Sequence, residues 1–329
     1  MKAVPTKLRV AGTCSGVGGI ELGFQQAGYQ IVWANEFDKN ANKTYAANFG
    51  TDHLDTRSIW AVNPREIPDH DVFVGGIPCQ AFSHAGEKKG LDDERGVLFN
   101  AFARVLAVKK PAAFLLENVA GLLTHDKGRT FQVIKEALED TGYTVEYKIM
   151  NAAHYSNVPQ GRERIYVIGF RDGGAINWPA PTELTTTVQD LLEPDAPAKY
   201  FYEGRYGKVG EAIVNAVQGA DVYSYRSYNG GYVRRNESGV CPTLMANMGS
   251  GGHNVHLVLD PWNLKARKLT PRECFNLQGY PQDFILPPIA DGQLYKQAGN
   301  SVAVPVIRRV AEAITETLTA NSNHNEAAA

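Results

Sequence analysis

The 329-residue chain is poor in several things, and each absence removes a class of function. It has four cysteines, Cys14, Cys79, Cys241 and Cys274, and no two of them form a C-x-x-C pair. That excludes a disulfide framework and gives no zinc-ligand spacing, so no metal is expected. No apolar run approaches the roughly 20 residues that cross a bilayer. The opening Met1-Lys2-Ala3-Val4-Pro5-Thr6-Lys7 lacks the apolar stretch of a signal peptide. A cytoplasmic protein without membrane association is the expectation. Charge of one sign is also missing, with 33 Lys and Arg against 35 Asp and Glu. This balance argues against a polybasic coat for nucleic acid and leaves room for a local basic cleft. The length is enough for one large core and a smaller second one.

What is present is an alternation of short apolar runs and helical patterns. Residues 8–14 form a strand candidate that runs into Ser15-Gly16-Val17-Gly18-Gly19, after which a helical pattern extends to Gly28. Strand, glycine turn and helix make either a nucleotide-type cradle at a helix N-terminus or a plain tight turn. The spacing is G-x-G-G, which counts against a dinucleotide pyrophosphate site. The next strand, 30–34, delivers Glu36, Phe37 and Asp38. An acid about 20 residues after the glycines suits ribose hydroxyls, and a helix N-terminal acid is the alternative for Glu36. Asp38 fits a cap. Asp55, followed by Thr56, closes another short segment and is either a ligand acid or a solvated loop acid.

The apolar run 71–74 ends at Gly75-Gly76-Ile77-Pro78-Cys79-Gln80-Ala81-Phe82-Ser83. In open α/β sheets, ligands collect outside the carboxyl ends of the strands. Cys79 therefore reads as a nucleophile. The strand 112–116 delivers Glu117-Asn118-Val119 to the same sheet edge, so a thiol and an acid share one pocket, as covalent catalysis with an acid partner requires. Further on, Gln160-Gly161-Arg162-Glu163-Arg164 precedes the strand 165–170. Its arginines are a solvated turn or guanidinium donors to a phosphate or a base carbonyl. The whole alternation predicts an α/β fold with a doubly wound, mostly parallel sheet.

After Phe170 the composition changes. Residues 199–260 are rich in Gly, Tyr, Asn, Ser and Arg, with Tyr225, Arg226, Tyr228, Tyr232, Arg234 and Arg235 interleaving rings and cations. Such side chains suit phosphate and base-edge contacts, and a β subdomain without a ligand is the alternative. Thr270, Pro271 and Glu273 predict a capped helix that stops at Gly279. A last helix is expected over 304–318.

Taken in order, six segments resemble the C5-cytosine-specific DNA methyltransferase family, and closely its small bacterial or phage members. They are Ser15 to Gly19, Pro78-Cys79-Gln80, Glu117-Asn118-Val119, Gln160 to Arg164, Arg267 to Tyr280, and Gly299-Asn300-Ser301. The likeness runs from about Leu8 to about Ile314. It implies a Rossmann-like sheet of the S-adenosylmethionine-dependent methyltransferase type, with a smaller, irregular β-rich target-recognition domain. The expected division is a catalytic and cofactor-binding domain over 1–190, target recognition over 191–285, a return segment and helix over 286–320, and a frayed tail over 321–329.

By the same resemblance the cofactor is S-adenosylmethionine and the substrate a cytosine flipped from double-stranded DNA. Cys79 would add to carbon 6, Glu117 would hold or donate a proton at N3, and Arg164 would bind O2 with Arg162 supporting the pocket. The base that removes the carbon 5 proton is open between water and a side chain near Asn118. Cofactor contacts would come from Cys14, Ser15, Gly16, Gly18, Gly19, Glu36, Phe37, Asp55, Thr56, Pro78, Leu98, Asn300 and Ser301. DNA contacts would come from Gln80, Ser83, Arg226, Tyr228, Arg234, Arg235, Thr243, Leu244, Gly252 and His253. A monomer is expected, either solitary or phage-borne or matched to a restriction endonuclease that acts on the same site without touching it. Gly12-Thr13-Cys14 departs from the family's acid, aliphatic and aromatic residues, which predicts weaker cofactor binding than in a Cys14→Phe variant. Three rivals are an RNA-directed relative, a silent DNA-binding module and a nicotinamide-dependent enzyme. The near hundred residues between Phe170 and Arg267, the intact catalytic set and the glycine spacing weigh against them in turn.

Overall fold

A computed structural model describes residues 7–77, 97–227, 231–250 and 253–328, with the side chains of Val97, Arg226 and residues 322–328 left out of that description. In chain order the first elements are β1 (Arg9–Thr13), α1 (Gly19–Gln26), β2 (Gln30–Asn35), α2 (Lys39–Phe49), β3 (Leu54–Asp55), β4 (Val72–Gly76), α3 (Val97–Lys109), β5 (Ala113–Val119), α4 (Arg129–Glu139) and β6 (Thr144–Asn151). There follow α5 (Ala152–Tyr155), β7 (Gln160–Gly161), β8 (Glu163–Phe170), α6 (Gly207–Ala216), β9 (Val222–Arg226), β10 (Tyr232–Asn236) and β11 (Cys241–Pro242). The last are β12 (Leu257–Leu259), β13 (Ala266–Lys268), α7 (Pro271–Asn276), α8 (Asp291–Asn300) and α9 (Val304–Ala328).

The chain divides into two compact units, one of 1–150, 163–180 and 306–329, the other of 151–162 and 181–305. These do not follow the expected boundaries at 190 and 285. The segment that carries Arg162 falls in the second unit, and so does 286–305.

In the first unit a seven-stranded sheet has the order β3-β2-β1-β4-β5-β8-β6. The pairs from β3 through to β5 are parallel, and β8 runs antiparallel to β5. Unbroken apolar runs explain the parallel part. Val72, Phe73 and Val74 are fully buried, as are Phe114 and Leu115, because strands covered on both faces need apolar side chains pointing both ways. One core cluster packs Phe102, Val105 and Leu106 of α3 and Phe131, Ile134 and Leu138 of α4 against Phe73, Phe114 and Val167. Helix α1 meets α9 where Gly23 lacks a side chain, since a β-carbon there would collide with Ile307. Asp38 caps α2 by accepting from the amides of Asn40 and Ala41, as its position predicted. Helix α9 runs on to Ala328, past both the expected stop at 318 and the frayed tail assigned to 321–329. Part of the reason is local: Asn321 Nδ2 donates to Gly173 O at 2.9 Å, which ties this turn to the end of the sheet connection.

The second unit carries a four-stranded sheet, β10-β9-β12-β13, and a two-stranded one, β11-β7. The larger is antiparallel and packs Tyr223, Leu257 and Ala266 on Tyr202, Ile213 and Val217. Beside it Arg267, Asp260 and Glu273 are completely buried together. Arg267 Nε meets Asp260 Oδ2 at 2.7 Å, and its two terminal nitrogens take both oxygens of Glu273 at 2.8 and 2.7 Å. Glu273 also completes the capping box of α7 with Thr270, as the sequence predicted. Among the described residues no helix is long and apolar enough to cross a membrane.

Candidate active site

In the first unit, the loop after β1 is held open by backbone geometry. Cys14, Gly16 and Gly18 all have positive φ, at 52°, 57° and 86°. At Gly18, the N-cap of α1, glycine is also a spatial requirement, because a β-carbon would strike the Phe49 ring. Ser15 N donates to Asn35 O at 3.0 Å, which ties the loop to the end of β2. Glu36 then binds the loop from the side: Oε2 accepts from Gly16 N at 2.8 Å, and Oε1 from Phe37 N and Asp38 N at 2.8 and 2.7 Å. Burial pushes the Cys14 thiol up to about 12, with Glu36 adding to the effect, so the thiol is a neutral contact group at ordinary pH.

One side of this loop is open. A β-carbon at Gly16 would have nothing within 4 Å. Phe37 exposes 71% of its surface beside Glu36, unusual for so large an apolar ring. Asp55, by contrast, is engaged: Arg57 holds its carboxylate through Nε at 3.0 Å and a terminal nitrogen at 2.7 Å. Thr56 is exposed, and Leu98 is half-buried against the core cluster of α3. Pro78 lies outside the described residues.

Two strands further along the same sheet, β5 and β8 bring together two of the predicted catalytic groups. The register pairs Glu117 with Tyr166 and Val119 with Arg164, so Glu117 and Arg164 project on the same face of neighbouring strands. Arg164 Nε stands 3.1 Å from Glu117 Oε1, and both side chains are nearly buried. Glu117 Oε2 would lie 3.6 Å from a β-carbon at Gly76, the last residue of β4. Asn118, a catalytic candidate, is engaged by the backbone. Its Nδ2 donates to Ile77 O at 2.8 Å and its Oδ1 accepts from Val119 N at 2.8 Å. It fixes the end of β4, two residues before Cys79. Cys79, Gln80 and Ser83 themselves lie outside the described residues.

In the second unit several candidates turn out to be tied to their own backbone. Arg162 was expected beside Arg164 in the base pocket. Its guanidinium is buried and donates to the carbonyls of Leu244, at 3.0 Å, Gly299, at 3.0 Å, and Ser301. It staples three segments of this unit. Thr243 and Leu244 were expected on DNA. Thr243 Oγ1 donates to Gly161 O at 2.5 Å, and Leu244 is fully buried with its amide on Gln160 Oε1 at 3.1 Å. Asn300 is exposed, whereas the Ser301 hydroxyl shares a 2.5 Å hydrogen bond with Tyr280.

The interleaved rings and cations divide by face. Arg234 opposes Ser224 and is exposed, as is Tyr232 two residues before it. Arg235 opposes Tyr223 on the other face, and its Nε lies 2.5 Å from Asp221. His253 is engaged by rings of its own unit. Its Nδ1 meets the Tyr202 hydroxyl at 3.1 Å, its ring packs edge-on to Tyr206 at 5.0 Å, and desolvation followed by the charge of Lys268 lowers its pKa. Arg226 has a described backbone in β9 only, and Tyr228 and Gly252 lie outside the described residues.

Sequence reasoning passed over Asn35 and Glu21. Asn35 is buried, accepts from the Thr13 hydroxyl at 3.2 Å and donates to the carbonyls of Asp55 and Arg57 at 3.0 and 2.8 Å. Glu21 is an acid inside an apolar run of α1, 1% exposed, and that placement was the signal available. Among the described residues no cluster of His, Cys, Asp and Glu is arranged to hold a metal.

Residues 8–316 match the family model described as C-5 cytosine-specific DNA methylase. The type II methyltransferase M.Bsp6I of Bacillus sp. (strain RFL6) is 48% identical over 319 residues, covering 94% of this chain and 99% of that protein. The type II methyltransferase M.SsoII of Shigella sonnei is 43% identical, covering 95% of this chain and 81% of that protein. Among solved structures, the Dnmt2 methyltransferase of S. pombe superposes with a TM-score of 0.74 at 20% identity, over 94% of this chain and 99% of that one.

Proposed function

The chain belongs to the C-5 cytosine-specific DNA methylase family and is a DNA (cytosine-5)-methyltransferase, and on that premise we propose that it methylates a cytosine flipped from double-stranded DNA with S-adenosylmethionine. The observation that carries the reading is the Glu117–Arg164 pair, set 3.1 Å apart beside the strand end that leads to Cys79. Glu36, Phe37 and the open face at Gly16 would hold the nucleoside part of the cofactor. When bound, the cofactor supplies an electrophilic methyl group on a sulfonium.

Carbon 5 of cytosine is too weak a nucleophile to take that methyl unaided. Cys79 thiolate would form a bond to carbon 6, and the ring's electrons would move to N3 and carbon 5. Glu117 would deliver a proton to N3 as negative charge gathers there. Arg164 would hold O2 while its Nε keeps the Glu117 carboxyl turned toward the base. Once carbon 5 carries the methyl, a base removes the carbon 5 proton. The electron pair returns to the ring, the sulfur–carbon bond breaks, Cys79 leaves as thiolate, and Glu117 takes back the N3 proton. Asn118 would act by fixing the main chain before Cys79. The exposed Tyr232–Arg234 face would meet DNA.

The type II relatives support a role in restriction and modification, with a cognate endonuclease acting on the same site. A cytoplasmic monomer is the accompanying proposal. Bisulfite sequencing of DNA incubated with the purified protein and S-adenosylmethionine should show conversion-resistant cytosines in one sequence context. Their absence would overturn the reading. DNA containing 5-fluorocytosine should trap a covalent adduct with the wild-type protein and none with Cys79→Ser.

A further inference from the structure

Gly12 and Glu21 occupy one another's space. A β-carbon at Gly12, the fourth residue of β1, would collide with Glu21 Oε1 and stand 3.2 Å from its Cδ and 3.3 Å from Ser15 Oγ. The carboxyl of an α1 residue thus fills the place where β1 would carry a side chain of its own, at the floor of the loop that follows. Glu21 Oε2 is buried and has no hydrogen-bond partner among the described residues. An acid with a buried oxygen left unpaired is costly in such a place, and residues of this kind gather at functional sites. Its charged and titratable neighbours are Glu36 at the end of β2, Cys14 after β1 and Tyr45 of α2. All are neutral or acidic groups. Among the described residues no cation is counted with them.

We propose that Glu21 places an acidic group at the floor of this loop, and that it makes the loop prefer cationic S-adenosylmethionine over its neutral product S-adenosylhomocysteine. This rests on the cofactor assignment above. The two molecules differ by the methyl group and the sulfonium charge, so a fixed negative charge near the loop discriminates between them with no contact to the methyl. In a site screened from water such a charge acts more strongly than at a surface. Burial pushes the free carboxyl up to about 7, so it stands ready to ionise when a cation arrives and to take its proton back when the charge has gone. A bound cation that moves the Glu21 pKa down by one unit gains about tenfold in affinity.

Isothermal titration of both ligands into wild-type protein and Glu21→Gln tests this. At about pH 8, where Glu21 is ionised, the variant is expected to bind S-adenosylmethionine about tenfold more weakly and S-adenosylhomocysteine about equally. An equal loss for both ligands would mean a structural role, and no loss for either would mean no role; each overturns the proposal. If the variant does not fold, the wild-type preference is followed by itself. It should rise several-fold between about pH 5.5 and about pH 7.5 as Glu21 ionises, and a flat preference would overturn the proposal. Cys14 and Tyr45 titrate far above that window, and the variant leaves Glu36 in place as a reference. Wild-type protein that binds neither ligand would instead overturn the cofactor assignment.

Discussion

Replacing Glu21 with glutamine is expected to stabilise the cofactor-free protein at alkaline pH relative to its effect at acidic pH. Burial is the main cause of the raised Glu21 pKa, with the Ser15 hydroxyl opposing it and Glu36 adding a little, and together they move it from 4.5 to about 7. Because the folded value lies above the unfolded one, the folded chain holds a proton that the unfolded chain has already released. Stability is therefore intact below about pH 4.5, declines as pH rises, and has lost this contribution above about pH 7. Each pH unit between the two values is worth about 1.4 kcal/mol, giving a loss of ~3 kcal/mol for a group this buried. Glutamine cannot ionise and removes the slope. Whatever glutamine costs in packing appears at both ends of the range and cancels in the difference. Urea unfolding of wild-type and variant protein at about pH 5 and about pH 8.5, without cofactor, reads that difference. A wild-type deficit of the same size at both pH values would refute the argument.

Gly12→Ala should cost about 1–3 kcal/mol through its collision with the Glu21 carboxyl, and Glu21→Ala should recover part of that loss in the double variant; strict additivity in thermal unfolding would contradict the contact. Arg267→Met should destabilise the second unit by about 3–5 kcal/mol, because it strands two buried carboxylates, Asp260 and Glu273. Urea titration measures it, and a neutral result would refute the account. Arg234→Ala should weaken DNA binding and lower the salt dependence by about one counterion. Arg235→Ala should leave that slope unchanged, since Asp221 already neutralises its guanidinium; equal slopes for both variants would sink the division by face.

How much was legible depended on how local the cause was. The strand runs, the Asp38 cap and the Thr270–Glu273 box follow from neighbouring residues and were readable. The meeting of Glu117 with Arg164 was not readable from the strand pattern, because it depends on β8 running antiparallel to β5. Arg162 and Arg164 look alike in sequence, two positions apart. One donates to carbonyls supplied by residues 244, 299 and 301, the other faces a carboxylate on β5, and only the tertiary path of the chain separates them. Arg234 and Arg235 differ by the alternation of β10, which a segment without a clear apolar period hides. Thr243 and Leu244 carried a family likeness and no physical signal for burial. Glu21 did carry one, an acid in an apolar helical stripe, and was passed over because the glycines beside it already explained the turn.

The crossing of the chain between its two units constrains how the second unit can be exchanged among such enzymes. Residues 151–162 lie with 181–305, while 163–180 return to the first unit. A recombination event that transplants one continuous gene fragment over 181–305 leaves behind Gln160 and Gly161, the partners of Cys241 and Pro242, together with the Arg162 staple. The incoming fragment must then accept a host strand and a host arginine it did not evolve beside. Well-folded hybrids should therefore be those whose donors agree over 151–162, however far the rest of the fragment has diverged.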